Sequence, residues 1–274
     1  PNTNYHFTIQ AVCSDEDSSI FSTVNARTEC GAITALPIFE DFESTGTTSS
    51  SNNDFIPCWT KVCNATSYFY PYVSSSTTYN HTPGGGIGLY WYRSSTQGTY
   101  GDYNIIVLPQ IDTNALPLNT TMLTFWAKPS STTYYPVFIV GVMSDPTADS
   151  TFQAVDTIAL PNTTNWEKYT VMFDGFTGTG NYIAIRDKES STYWYAYVDD
   201  ITLMEIPACP HVANLRADSC NVDWISISWS EVGTATSWLI EYDTVPFTPG
   251  NNSNAVTDVA YDTSYLLQYL DTGY

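Results

Sequence analysis

Residues 181–203 read NYIAIRDKESSTYWYAYVDDITL. Tyr182-Ile183-Ala184-Ile185 is apolar and partly β-branched, as a buried strand requires. A polar turn occupies residues 187–191, and a second strand spans 193–203. Asp199 and Asp200 interrupt that second strand. Two carboxylates in an apolar strand are costly to bury without a partner. The chain has only 8 Lys and Arg, so a hard cation such as Ca²⁺ is one candidate partner. The alternative is that neighbouring strand residues face opposite ways, so that one acid meets solvent and the other caps a strand end.

Composition sets the surroundings of this stretch. The 274 residues allow two domains, or one with pieces of others. Aromatics make up 15% of the chain, with 21 Tyr and 8 Trp, and Ser, Thr and Asn are abundant. Such a composition suits strands rather than helices. The formal charge of −20 repels nucleic acid and anionic membranes and favours divalent cations.

The cysteines, Cys13, Cys30, Cys58, Cys63, Cys209 and Cys220, form an even set without a C-x-x-C pair. With only 3 His present, disulfides outside the cytosol are a better reading than zinc. Local pairs are expected: Cys13–Cys30, Cys58–Cys63 and Cys209–Cys220. Sequons stand at Asn64, Asn80, Asn119, Asn162 and Asn251, and bear on the surface only where the source glycosylates them. No apolar run is long enough for a membrane-spanning helix. The start at Pro1-Asn2-Thr3 reads as a segment of a longer protein.

Near the start, YHFTIQAVC (5–13) and IFSTVNARTEC (20–30) read as two strands around an acidic turn. A two-stranded hairpin is marginal in water, so a larger sheet is expected to own it. Toward the end, Trp224-Ile225-Ser226-Ile227-Ser228-Trp229 alternates, and Trp238-Leu239-Ile240-Glu241-Tyr242 follows. This C-terminal part resembles the first half of a fibronectin type III module, with Trp229 and the 238–242 strand in matching places. Pro1-Asn2-Thr3-Asn4-Tyr5 and the two strands after it resemble the second half. The ending Leu270-Asp271-Thr272-Gly273-Tyr274 resembles the same loop again. The chain therefore reads as nearly one period of a tandem array. Residues 1–35 hold the end of one module, 36–206 a central domain, and 207–274 the beginning of another.

The central domain contains strand-like runs at 36–42, 87–92, 105–108, 122–127, 137–142, 154–160, 167–173, 182–185 and 193–203, separated by turn-rich spacers. Helical periodicity is not sustained anywhere. An all-β antiparallel sandwich follows from this pattern.

Four pieces carry a second resemblance: Phe39-Glu40-Asp41-Phe42-Glu43 with Pro57-Cys58-Trp59; Leu123-Thr124-Phe125-Trp126-Ala127; Trp166-Glu167-Lys168-Tyr169; and Tyr182-Ile183-Ala184-Ile185 leading to Val198-Asp199-Asp200-Ile201. In order and spacing they resemble the MAM family and related adhesin domains of Bacteroidetes surface proteins. That resemblance implies a jelly roll whose first and last strands lie side by side. It also implies a structural Ca²⁺ with Asp41, Glu43, Asp199 and Asp200 as ligands, and Asp54 as a possible fifth. The animal MAM pattern of four cysteines is not matched, since this domain has only Cys58 and Cys63.

A catalytic centre is not expected. His6 and His211 lie in the flanking pieces and His81 in a Tyr/Thr loop, which does not assemble a triad. Asp199 and Asp200, adjacent on a strand, suit glycoside hydrolysis poorly. Tyr68-Phe69-Tyr70-Pro71-Tyr72, Tyr90-Trp91-Tyr92 and Tyr193-Trp194-Tyr195 hold more rings than one face can bury. Exposed rings stack on sugars or form contact surfaces, and Trp91, Tyr92 and Trp194 are the ligand-binding candidates. The expected function is non-catalytic adhesion and spacing in a secreted or cell-surface protein. Its partner would be an extracellular glycan or a host or matrix protein, not nucleic acid and not a bilayer. The alternative is an accessory module that positions an enzyme encoded elsewhere in the parent chain.

Overall fold

A computed structural model describes residues 3–15, 17–44, 46–82, 88–93, 103–190, 192–250 and 255–270. Among them are strands and two short 3-10 turns, and no α-helix. The chain divides into two compact units, Pro1–Glu205 and Ile206–Tyr274.

The first unit opens with β1 (Asn4–Ile9), the small pair β2 (Val12–Ser14) and β3 (Asp17–Ser18), and β4 (Ser22–Arg27). β1 pairs antiparallel with β4, placing Tyr5 opposite Ala26, Phe7 opposite Val24 and Ile9 opposite Ser22. Residues opposite each other share a face. One face therefore carries Tyr5, Phe7, Ile9, Ser22, Val24 and Ala26, and the other Asn4, His6, Thr8, Thr23, Asn25 and Arg27. Every residue of both strands is exposed.

The rest of the unit is an antiparallel jelly-roll sandwich. Its strands are β5 (Ile38–Glu40), β6 (Thr60–Cys63), β7 (Tyr72–Ser74), β8 (Gly88–Arg93), β9 (Asn104–Val107), β10 (Thr121–Pro129), β11 (Val137–Met143), β12 (Gln153–Ala159), β13 (Glu167–Met172), β14 (Tyr182–Asp187) and β15 (Trp194–Glu205). One sheet runs β13-β10-β15-β8-β7 with β5 also on β15, and the other β12-β11-β14-β9-β6. First and last strands lie side by side, with Glu40 opposite Ile201 and Ile38 opposite Leu203. Leu89, Trp91, Leu123, Phe125 and Val198 from one sheet meet Ile106, Phe138, Val140, Ile183 and Ile185 from the other in one core. The apolar parity of each strand fixes which face turns inward, because a slip of one residue would expose the whole set.

The second unit contains β16 (Ala213–Cys220), β17 (Trp224–Ser230), β18 (Trp238–Tyr242), β19 (Val256–Ala260) and β20 (Ser264–Gln268). They form a β16-β17-β20 sheet and a β18-β19 sheet. Trp229 packs edge-on against Trp238, with ring centroids 5.5 Å apart.

The disulfide pattern corrects the sequence expectation. Cys30 bonds Cys58, and Cys13, Cys63, Cys209 and Cys220 are free thiols. Extended backbone explains all three failures. Cys13 lies past the Ile9 end of the hairpin and Cys30 past its Arg27 end. At about 3.3 Å per residue the β1–β4 ladder holds them roughly 20 Å apart, whereas a disulfide needs Cα atoms within about 7 Å. Strand β6 likewise separates Cys63 from Cys58, and the full length of β16 separates Cys220 from Cys209.

Candidate functional site

The outer face of the β10-β15-β8-β7 sheet is paved with tyrosine. Register places Tyr197 opposite Tyr90, Tyr195 opposite Tyr92, and Tyr90 opposite Tyr72. Ring centroids are 4.6 Å apart for Tyr92–Tyr195, 5.3 Å for Tyr72–Tyr90 and 5.2 Å for Tyr70–Tyr92. Tyr134 extends the paving against Tyr195, and Tyr79 stacks on Tyr197 at 4.6 Å. Most of these rings are half-buried, each partly covered by its neighbours and partly open to solvent. Desolvation, joined by the surrounding tyrosines, pushes the Tyr90 hydroxyl well above its usual range. The Tyr90 hydroxyl thus stays uncharged at physiological pH, within a ring platform fringed with hydroxyls. Lys128 lies 4.7 Å from the Trp166 ring centroid and 5.5 Å from that of Tyr197, and burial lowers its pKa.

Of the three aromatic candidates read from sequence, only Tyr92 belongs to this face. Trp91 is 0% exposed and Trp194 1%, so neither can stack on a ligand. Their rings pack edge-on against Phe138 in the core, at 4.9 and 5.5 Å. The Trp91 indole N–H also donates to Asp187 Oδ2 at 3.3 Å. Asp187 is itself buried, accepts two hydrogen bonds from Asn104, and faces Arg93 Nη1 at 3.7 Å. Parity carried the information needed. Trp194 shares its face with Ala196 and Val198, whereas Tyr195 and Tyr197 share the other. Tyr72 comes from the 68–72 cluster, whereas Tyr79, Tyr197, Trp126 and Trp166 join the surface only through the tertiary fold, which no local motif displays.

The Asp199–Asp200 pair does not obey simple alternation. Thr124 faces Thr202, but Trp126 faces Asp199, so β15 carries an extra residue at that point. Asp200 takes the left-handed conformation there, with φ 50°, which Asp tolerates better than most residues. This bulge lets both carboxylates meet one loop. Asp199 Oδ2 accepts the His81 backbone N–H at 2.6 Å and the Thr82 N–H at 3.4 Å. Asp200 Oδ2 pairs with His81 Nδ1 at 2.6 Å, and its Oδ1 accepts from the Thr82 hydroxyl. The imidazole lies flat on Trp126, with centroids 3.9 Å apart. Burial raises the Asp199 pKa to about 6, against the lowering effect of the His81 N–H. The two acids therefore clamp residues 79–82 onto the sheet and present Tyr79 beside Tyr197.

The calcium shell implied by the MAM resemblance is not gathered in this geometry. Among the described residues no group of three or more His, Cys, Asp or Glu side chains is placed to hold a metal ion. Asp41 Oδ1 accepts the Glu43 N–H at 3.1 Å, while Asp199 and Asp200 turn to the His81 loop. The donor set does not fit a metal as arranged, and His81 occupies the position facing Asp200. His81 and Asp200 also resemble two members of a catalytic triad. Among the described residues no Ser or Cys hydrogen-bonds the ring to complete one. Nor among them is any helix long and apolar enough to cross a membrane.

No family model and no curated protein matches the sequence. Among solved structures, the K1 cleaved adhesin domain of Lys-gingipain from Porphyromonas gingivalis is similar at a TM-score of 0.46 and 18% identity, covering 62% of this chain and 99% of that one. A family 11 carbohydrate-binding module from Clostridium thermocellum, solved with a β-1,3-1,4-mixed-linked tetrasaccharide, is similar at 0.38 and 15%, covering 62% and 95%. A xylan-binding domain from Paenibacillus barcinonensis Xyn10C is similar at 0.39 and 13%, covering 66% and 99%.

Proposed function

We propose that the jelly-roll sandwich is a non-catalytic module of an extracellular or cell-surface protein, and that its tyrosine face binds a neutral glycan. The continuous ring surface on the solvent side of one sheet carries this reading. Strand parity there would admit any polar residue, and the chain places tyrosine on three adjacent strands instead. Tyrosine offers a flat apolar body for the C–H face of a pyranose and a hydroxyl for its substituents. Acidic glycans fit less well, because the chain carries a formal charge of −20 with only 8 Lys and Arg. The Cys30–Cys58 disulfide supports an oxidising compartment. The test is an array of neutral and acidic oligosaccharides, followed by calorimetry on any hit. Binding to neutral chains, weakened about tenfold by Tyr195→Ala, is the expected result, since a stacked ring contributes on the order of 1 kcal/mol. Silence across the array and against matrix proteins would leave only the spacer role.

A further inference from the structure

Beneath one side of the tyrosine face, a buried cation stands where the core pattern calls for an apolar side chain. Lys61 on β6 lies opposite Ile106 of β9 and shares its face. That face turns to the core, where Ile106 is fully buried. Lys61 itself is only 5% exposed. Burial lowers its pKa to about 8, so it is still charged at pH 7. Among the described residues no carboxylate forms an ion pair with it. Its Nζ instead donates to three backbone carbonyls, Asn52 O at 3.4 Å, Phe69 O at 3.4 Å and Pro71 O at 3.3 Å. An ammonium has three N–H donors and no acceptor, so the carbonyls match it one for one. Each bond is longer than a strong charged bond, and the hold lies in their convergence.

Two of those carbonyls belong to the segment that brings Tyr70 and Tyr72 to the platform. That side of the sheet has little support of its own. β7 is 3 residues long and sits at the end of the sheet, beside β8. Its outer side is tied to the 48–50 loop, with Phe69 N–H donating to Ser50 O at 2.9 Å and Thr48 N–H to Val73 O at 3.0 Å. Lys61 joins the same two stretches from the core side, through Asn52 on one and Phe69 and Pro71 on the other. Tyr70 then meets Tyr92 at 5.2 Å and Tyr90 at 5.9 Å, and Tyr72 meets Tyr90 at 5.3 Å. Burying an ammonium without an acid costs desolvation free energy, so stability alone does not account for a lysine at this position.

We propose that Lys61 is a positioning residue of the tyrosine face: its buried ammonium gathers the Asn52, Phe69 and Pro71 carbonyls and so holds Tyr70 and Tyr72 against Tyr90 and Tyr92, ordered before any ligand arrives. Ligand capture by these rings rests on the reading of that face as a glycan surface, whereas their ordering by Lys61 does not. Rings already fixed in place lose less conformational freedom on binding than rings that must be ordered by the ligand.

NMR of the full chain with labelled tyrosine rings and lysine ammonium groups, at pH 7, tests this. In the unaltered chain Tyr70 and Tyr72 give sharp ring signals, and the Lys61 ammonium protons exchange slowly with water. Lys61→Met keeps the apolar stem and removes all three donors. Its Tyr70 and Tyr72 signals broaden, and its Phe69 and Val73 amides exchange about tenfold faster. Tyr134 and Tyr193, at the other end of the face, are unmoved. The melting temperature does not fall, because the cost of the buried charge disappears with the donors. Lys61→Ala leaves room for a small cation. Methylammonium restores the ring signals of that variant, and tetramethylammonium, which has the charge but no N–H, does not. A neutral oligosaccharide that binds the unaltered chain binds Lys61→Met about tenfold more weakly. If no neutral oligosaccharide binds the unaltered chain, the glycan reading falls and the ring signals still decide the role of Lys61. Sharp Tyr70 and Tyr72 signals in Lys61→Met overturn the proposal. So does equal rescue by the two cations, or a parallel loss at Tyr134 and Tyr193, which would make Lys61 a general support of the fold. Fast exchange of the ammonium protons in the unaltered chain overturns it without any variant.

Discussion

On β8 and β15, Trp91 and Trp194 each stand one residue from tyrosines that face the other way. Trp91 and Trp194 are sealed in the core, and Tyr90, Tyr92 and Tyr195 are half-open to solvent. Both faces are aromatic, yet the surroundings differ. The inner rings meet Phe138 and a buried Asp187–Asn104–Arg93 cluster. The outer rings meet one another, and Lys128 lies beside Tyr197. Inside, ring area becomes stability. Outside, the same kind of area is held ready by its neighbours and left available for a ligand.

The largest effects should follow from cutting the inner face. Trp91→Ala removes the biggest fully buried side chain of β8 and leaves Asp187 short of a donor. A loss of about 3–5 kcal/mol is expected from the cavity alone, read as a fall in the urea midpoint. Tyr92→Ala on the same strand should cost less than about 1 kcal/mol in stability while weakening glycan binding about tenfold. If instead Trp91→Phe, which keeps most of the packing, abolished binding at unchanged stability, the assignment of the two faces would be wrong.

The architecture was open to reading from the sequence because it rests on parity. Short alternating runs with turn signals give an antiparallel sandwich, and the Phe-Glu-Asp-Phe-Glu and Val-Asp-Asp-Ile segments do lie on paired strands. The site was only half legible. The three aromatic clusters were visible, but choosing Trp91 and Trp194 followed ring size instead of the apolar parity of Ala196 and Val198. The bulge at Asp200 was hidden altogether. A single inserted residue leaves no compositional trace, yet it turns two adjacent carboxylates to one face. The disulfide was missed for a related reason: proximity in sequence is a poor guide where an extended strand fills the interval.

A smaller effect concerns the loop clamp. Asp199 has its pKa raised from 3.8 to about 6 by burial, so the folded state holds this proton more tightly than the unfolded chain. The resulting stability is fully present below pH 3.8 and is lost as pH rises through about 6. Asp199→Asn keeps an acceptor for the His81 N–H and removes the titration. Stability of the variant relative to the unaltered protein should therefore improve between pH 4 and pH 7, by about 1–2 kcal/mol. Equal pH profiles for the two proteins would show that Asp199 is not buried against the loop.

The smallest expected effect is that of chelation. The MAM resemblance proposes Ca²⁺ at Asp41, Glu43, Asp199 and Asp200, and the clamp offers the acids of β15 another use. Each carboxylate of that pair is already taken up by backbone N–H groups, by the Thr82 hydroxyl or by His81. Asp41 is turned to the Glu43 amide. A bound ion would have to displace His81 from Asp200 and lift its ring from Trp126. Excess chelator should accordingly leave the melting temperature unchanged, and added calcium should do the same. His81→Ala separates the two readings further. It should loosen the 79–82 loop and weaken glycan binding if the clamp holds that corner, and it should leave both untouched if a metal does. A chelator-induced loss of about 2–4 kcal/mol, the size a saturating ligand provides, would return the four carboxylates to calcium and reassign the bulge as part of its shell.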